Sequence, residues 1–387
     1  MSFIVDRLFP RKTIEPLPAG QYSYQEMIGD TVPLRLHLRL AADGAGLLIV
    51  NASTVLHLNA TAAAHAYRFV QGDSEKQAAR FIQQRYRVGW RKALHDQQAL
   101  REQVRAIVTT PDLDPVLYLG MARTEPCDAL PTSPYRLDLA LTYALDPDGQ
   151  LDPAAARRAR RELTTNDWKT ALQAIWDAGI PHVTFTGGEP CRRQDLPQLI
   201  GHAEAIGLVT GVLTSGSRLA DPEYLALLAN AGLDHLLVSW DPSDPASTQG
   251  LRNAAASDVF TTAHLTLAPD SEPALPGWLR SLKEMHVNAV SLTGTAAAKD
   301  SRGLLERAQD QVASMGLELV WDLPVPYSRA NPIALEIGGP SGSAGCASLY
   351  VEPDGDVLRR QGAKQVLGHL LTDSWAALWE RARASES

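Results

Sequence analysis

The stretch Val183-Thr184-Phe185-Thr186-Gly187-Gly188-Glu189-Pro190 decides how the rest of this chain is read. Its β-branched and aromatic run is that of a short buried strand. The strand stops at two glycines, a carboxylate and a proline. Paired glycines let a backbone approach a ligand closely, and Pro190 ends the ladder so that the loop stands clear of the sheet. Ahead of the strand, Trp168, Leu172, Ile175 and Trp176 fall on one helical face, and Ala178-Gly179 closes that helix.

Working outward, strands and helices alternate from Tyr135. The pattern predicts strands near Leu137–Thr142, His182–Thr186, Val209–Thr214, His235–Trp240, Ala263–Leu267 and Val287–Leu292. Apolar helical faces lie between them, one starting at Asp221-Pro222-Glu223 with an N-cap and a proline at the first helical position. Such alternation builds a parallel sheet with helices outside. The helix–Gly–strand–GGEP unit and the six repeats resemble the radical S-adenosylmethionine (SAM) superfamily. The resemblance implies an α/β fold, a partial (β/α)6 TIM-type barrel, over residues 135–316. Residues 317–387 carry a Pro353-Asp354-Gly355 hairpin turn and a helix with Trp375, Leu378 and Trp379. They resemble a reduced SPASM or twitch extension of the peptide-modifying members.

N-terminal to the barrel, Leu34-Arg-Leu-His-Leu-Arg-Leu40 alternates as a half-buried strand does, and Gly46–Val50 with Thr54–Leu58 reads as a hairpin. Three helices follow, opened by Asn59-Ala-Thr61, by Gly72-Asp73-Ser74 and near Asp96. Residues 31–110 therefore form an α+β winged-helix-like domain. Its segment Leu47–Val108 resembles the PqqD-like family, the RiPP recognition element of ribosomal peptide maturation. That resemblance implies an edge strand that accepts a peptide by strand addition, and Leu34, Leu36, Leu38 and Leu40 are the candidate peptide- or partner-binding residues. Residues 1–30 read as an irregular arm and the proline-rich residues 111–134 as a linker.

By the same resemblance the SAM pocket falls on Gly187, Gly188 and Glu189, with Ser215 in Thr214-Ser215-Gly216 and Ser239 and Asp241 in Ser239-Trp240-Asp241. Members of the superfamily hold a [4Fe–4S] cluster with a C-x3-C-x2-C loop after the first strand. Here Thr142-Tyr143 matches the start of that loop, but its cysteine positions are Leu145, Gly149 and Asp152. The chain has three cysteines, Cys127, Cys191 and Cys346. They are too far apart in sequence for one such loop, and they form no disulfide framework. No iron–sulfur cluster and no metal site is expected. Cys191 and Cys346 read as packing residues and Cys127 as a loop thiol.

The altered loop reads Asp146-Pro-Asp-Gly-Gln-Leu-Asp-Pro153, and Arg157, Arg158, Arg160 and Arg161 behind it read as a solvated helix face. A net charge of −8 gives no sign of a nucleic-acid partner. Without a membrane-spanning run or a signal peptide, the default location is the cytoplasm. The functional expectation is a radical-SAM-like pseudoenzyme or accessory protein that binds a peptide or partner protein, such as an intact radical SAM enzyme, in RiPP maturation. SAM or a related nucleoside would bind weakly without its iron anchor, and no catalytic residue is assigned. The alternatives are a cluster-independent SAM-using enzyme and a structural subunit of a larger assembly.

Overall fold

The computed structural model describes residues 17–29, 32–51, 54–110, 113, 118, 133–145, 161–294, 301–319 and 348–384. The chain divides into two compact units, Met1–Arg123 and Thr124–Ser387.

In the first unit, strands β1 (Gly20–Ile28), β2 (Val32–Leu40), β3 (Gly46–Val50) and β4 (Thr54–Leu58) form an antiparallel sheet in the order β1-β2-β3-β4. Helices α1 (Ala60–Val70), α2 (Glu75–Arg85) and α3 (Trp90–Thr109) follow. Asn59 caps α1 by accepting from the Thr61 and Ala62 N–H groups, and Ser74 and Gln77 close a capping box on α2. The third helix begins at Trp90, earlier than the Asp96 signal suggested. Leu34, Leu36 and Leu38 on β2 pack into one core with Leu48, Val50, Ala63, Phe69 and Ile82. Burying a leucine side chain of this kind contributes about 2 kcal/mol.

Two readings of this region change. The arm assigned to residues 1–30 contains β1, which pairs with β2 from Gly20↔Leu40 to Ile28↔Val32. Strand β2 also pairs with β3, so it is interior to the sheet. Leu34, Leu36, Leu38 and Leu40 therefore lie on no edge. They are core residues, the first three at 0% exposure, and cannot be the surface that meets a peptide. Among the described residues the edges belong to β1 and β4. Tyr22 and Tyr24 of β1 turn toward α1, where they meet Tyr67 and Phe69 at ring-centroid distances of 4.9 and 5.5 Å. Glu26 pairs with Arg105 of α3 at 2.9 Å.

In the second unit, β5 (Arg136–Thr142), β6 (His182–Gly187), β7 (Val209–Thr214), β8 (His235–Ser239), β9 (Phe260–Leu267) and β10 (Ala289–Gly294) run parallel. Their helices are α4 (Thr165–Asp177), α5 (Leu196–Ile206), α6 (Pro222–Asn230), α7 (Pro245–Ala255), α8 (Leu275–Glu284) and α9 (Ser301–Ser314). This is the expected α/β partial barrel. Leu137, Leu139, Phe185, Val212, Val238 and Leu265 face the helices in one core with Trp168, Leu172 and Ile175. By the period of two, the alternate residues face the other way, and many of these are polar.

The C-terminal residues extend that sheet. Strand β11 (Ser348–Val351) pairs parallel with β5, then β12 (Asp356–Leu358) and β13 (Val366–His369) add antiparallel, and α10 (Trp375–Ala384) packs on β13. Gly355, at φ +91°, closes the β11–β12 turn, as the Pro-Asp-Gly signal predicts. The expected linker lies almost wholly outside the described residues, as do Cys127, Cys346, the Asp146–Pro153 loop and Arg157, Arg158 and Arg160.

Candidate functional site

The C-terminal end of β6 carries the Gly-Gly-Glu loop, and its glycines answer a specific steric demand. Gly187 sits at φ +120°, and a Cβ there would lie 2.2 Å from the Thr142 carbonyl oxygen. A Cβ at Gly188 would lie 2.4 Å from the Ala144 oxygen. The Gly188 N–H donates to Thr142 O and the Glu189 N–H to Ala144 O, both at 2.8 Å. The close approach that the glycines permit is thus to the chain's own segment after β5.

Glu189 is buried at 3% exposure. One carboxylate oxygen accepts from the Thr214 hydroxyl at 2.7 Å and the Cys191 N–H at 3.0 Å; the other accepts from the Ser215 N–H at 2.7 Å. These bonds tie β6 to the end of β7 and leave the carboxylate little capacity for a ligand. Cys191 donates to Thr214 Oγ1, and burial first, then the charge of Glu189, pushes its thiol well up. It is an inert packing residue here.

Ser215 and Ser239 stand at adjacent strand ends. The Ser215 carbonyl accepts from the Ser247 hydroxyl at 2.7 Å. Tight packing of α7 holds this corner, since a Cβ on Gly250 would lie 1.9 Å from the Gly216 oxygen. Asp241 accepts from the Ser243 N–H at 2.8 Å and the Ser243 hydroxyl at 2.6 Å, which closes a local turn. Ser239 is half-buried and lies opposite His264 in the β8–β9 register. His264 is 1% exposed. Its Nδ1 lies 3.2 Å from Ser291 Oγ and its Nε2 3.1 Å from Thr293 Oγ1. Burial lowers its pKa to about 4, so the ring is neutral near pH 7. Only strand register brings it beside Ser239; no motif in the sequence marks it.

The segment after β5 is closed by acids and tyrosines. Thr142 donates to Glu162 at 2.5 Å, and the Tyr143 hydroxyl donates to Glu352 at 2.5 Å beside Tyr350 at 3.1 Å. The Arg192 guanidinium donates to the carbonyl of Leu145, where the superfamily places its first cysteine. Gly149 and Asp152 lie outside the described residues. Arg161 pairs with Asp354 at 2.6 Å. Among the described residues no group of three histidine, cysteine or acidic side chains could hold a metal ion. A cubane takes thiolate ligands, and the one cysteine described is a buried, hydrogen-bonded thiol. The described residues do not fit the cluster.

Residues 150–258 match the family model of the radical SAM superfamily. A PqqA peptide cyclase of Xanthomonas campestris pv. campestris (strain B100) is 35% identical over 284 residues, covering 65% of this chain and 72% of that protein. The chain belongs to the radical SAM superfamily. A second PqqA peptide cyclase, from Xanthomonas axonopodis pv. citri (strain 306), is 28% identical over 278 residues and covers 65% and 73%. Among solved structures, Streptococcus suis SuiB bound to S-adenosylmethionine superposes with a TM-score of 0.60 at 15% identity, covering 89% of this chain and 86% of SuiB. SuiB bound to its precursor peptide SuiA gives 0.58 at 14% identity, covering 88% and 86%. These two likenesses concern the fold. Among the described residues, no helix of this radical SAM chain is long and apolar enough to cross a membrane.

Proposed function

We propose that this chain binds a peptide during ribosomal peptide maturation, as a radical SAM relative that has lost the iron–sulfur chemistry. The observation that carries the reading is a pairing of opposites. The chain aligns with peptide cyclases at up to 35% identity, yet Leu145, Gly149 and Asp152 stand where three thiolates are needed. The first unit, read as a PqqD-like recognition element, supplies the peptide contact. Among the described residues its edges are those of β1 and β4, and strand addition there would satisfy outward backbone groups.

The nucleoside pocket is a second part of this reading. SAM or a related nucleoside would meet Gly187–Glu189, Ser215 and Ser239, without the iron that anchors the methionine amine and carboxylate. Asp241 would have to leave its turn with Ser243 to take part. Calorimetric titration with SAM should show weak binding, and a nanomolar constant would mean that another anchor exists.

The test of the peptide reading is titration of the full chain with short precursor-like peptides, followed by hydrogen exchange. Binding should slow amide exchange in β1 or β4. If peptides bind with no change at either edge, the strand-addition reading fails; if none binds, the peptide reading fails.

A further inference from the structure

We infer that the surface around the α2–α3 turn docks a short run of acidic side chains, carried by the peptide proposed above. The inference rests on that reading for the peptide. It rests on charge and exposure for the acid.

Residues 76–95 hold six of the chain's 36 lysines and arginines and none of its 44 aspartates and glutamates. Helices α2 and α3 run antiparallel, since Gln98 donates to Glu75 at 2.8 Å and Arg101 to the Asp73 carbonyl at 2.5 Å. Residues 86–89 therefore join the end of α2 to the start of α3 at one end of the pair. Arg80, Arg87, Arg91 and Lys92 stand toward that end, all exposed. Arg80, Arg87 and Arg91 have no hydrogen bond or ion pair among the described residues. Of the acids on the two helices, Glu75 and Glu102 lie toward the far end, and Lys92 holds Asp96 at 3.1 Å. Arg85 is set apart by its half-buried place over the Phe81 and Tyr86 rings.

The local structure does not ask for cations here. Gly89 caps α3 without a side-chain bond, and Arg91 and Lys92 occupy the first turn, where the helix dipole favours acids. Like charges gathered on one surface also repel each other. An acidic ligand relieves both costs. Arg80 lies about 7 Å along the axis from the end of α2, and Arg91 one residue into α3. An extended peptide advances about 3.3 Å per residue, so a run of about four acids matches this surface. A long polyanion fits it less well. The chain's net charge is −8 in spite of this segment, and beyond its first turn the solvent face of α3 continues with His95, Gln98 and Glu102.

The test is fluorescence anisotropy of the full chain with three labelled probes. They are a peptide of four consecutive glutamates, its glutamine counterpart, and a single-stranded DNA of about twenty nucleotides. The glutamate peptide should bind saturably at low salt, about tenfold more tightly than the glutamine peptide, and should weaken as salt rises. Arg87→Glu and Arg91→Glu should each weaken it about fivefold. Arg280→Glu, an equal change of charge at an exposed position of α8, should leave it within about twofold. Arg91→Glu should not lower the thermal midpoint, because glutamate suits the first turn of α3. Equal binding of the two peptides, an equal loss in Arg280→Glu, or tighter binding of the DNA overturns the proposal. A lower midpoint in both Arg87→Glu and Arg91→Glu would assign these arginines to the fold and overturn it too. Precursor-like peptides that bind the parent and both variants alike would leave the peptide reading standing without this site. Binding of the glutamate probe, lost in the variants, with no binding of precursor-like peptides would sustain the acidic site while removing the peptide reading.

Discussion

His182 and His235 meet ring nitrogen to ring nitrogen at 3.3 Å across the intervening strand β7, on which Val209 pairs with His182 and Gly211 with His235. A Cβ on Gly211 would lie 2.1 Å from His235 Nε2, so the absence of a side chain is what admits the imidazole. Gly211→Ala should lower the thermal midpoint by several degrees, because the ring must leave a buried hydrogen bond. Thermal unfolding checks this. A variant as stable as the parent would mean that His235 moves freely.

Stability should fall with acid over a defined range. Burial pushes His235 and His264 down to about 4 from 6.5, and His182 well below 6.5. The unfolded chain therefore takes up protons below pH 6.5 that the folded chain does not. The stabilising contribution is complete above pH 6.5 and declines as pH falls to about 4, on the order of 3 kcal/mol for a fully buried ring such as His264. Denaturant unfolding at pH 7.5, 6 and 5 measures it, and His264→Gln should flatten part of the slope.

Glu189→Ala should destabilise the second unit by about 3 kcal/mol, since it removes the acceptor of three buried donors. Glu189→Gln should cost less, because one oxygen survives. If instead the carboxylate serves only a ligand, both variants will unfold as the parent does and differ only in nucleoside binding.

Anaerobic treatment with iron and sulfide should leave the protein colourless after desalting, because no three-cysteine loop exists to hold a cubane. A cubane electron paramagnetic resonance signal after reduction would sink that expectation.

Within the first unit, His65 of α1 and Gln97 of α3 bond at 2.7 Å, while His65 Nε2 and Gln97 Nε2 are buried without partners among the described residues. Gln97→Leu alone should destabilise by about 1–2 kcal/mol by stranding the histidine, and His65→Leu combined with Gln97→Leu should regain most of the loss. A double-variant cycle with no coupling would show that the pair does not act together.

Much of the architecture was legible in sequence because it is local. Period-two runs and apolar helical faces mark the strands and helices of the barrel, the Pro-Asp-Gly turn marks β11–β12, and the missing cysteines at Leu145, Gly149 and Asp152 are a matter of counting. Strand β1 was missed because Gly20–Ile28 alternates tyrosine and glutamate with glutamine and serine, a pattern with little hydropathy contrast. Its inward face becomes apolar only against Tyr67 and Phe69. Alternation also tells which way a side chain points without telling which strand lies beside it. So Leu34–Leu40 read as an edge and proved interior, Gly187 and Gly188 read as ligand cradles and also seat Thr142 and Ala144, and His264 came to face Ser239 through register alone. Faces follow from the period of the backbone, which neighbouring residues set; neighbours follow from hydrogen bonds between distant segments, and only the folded sheet decides those.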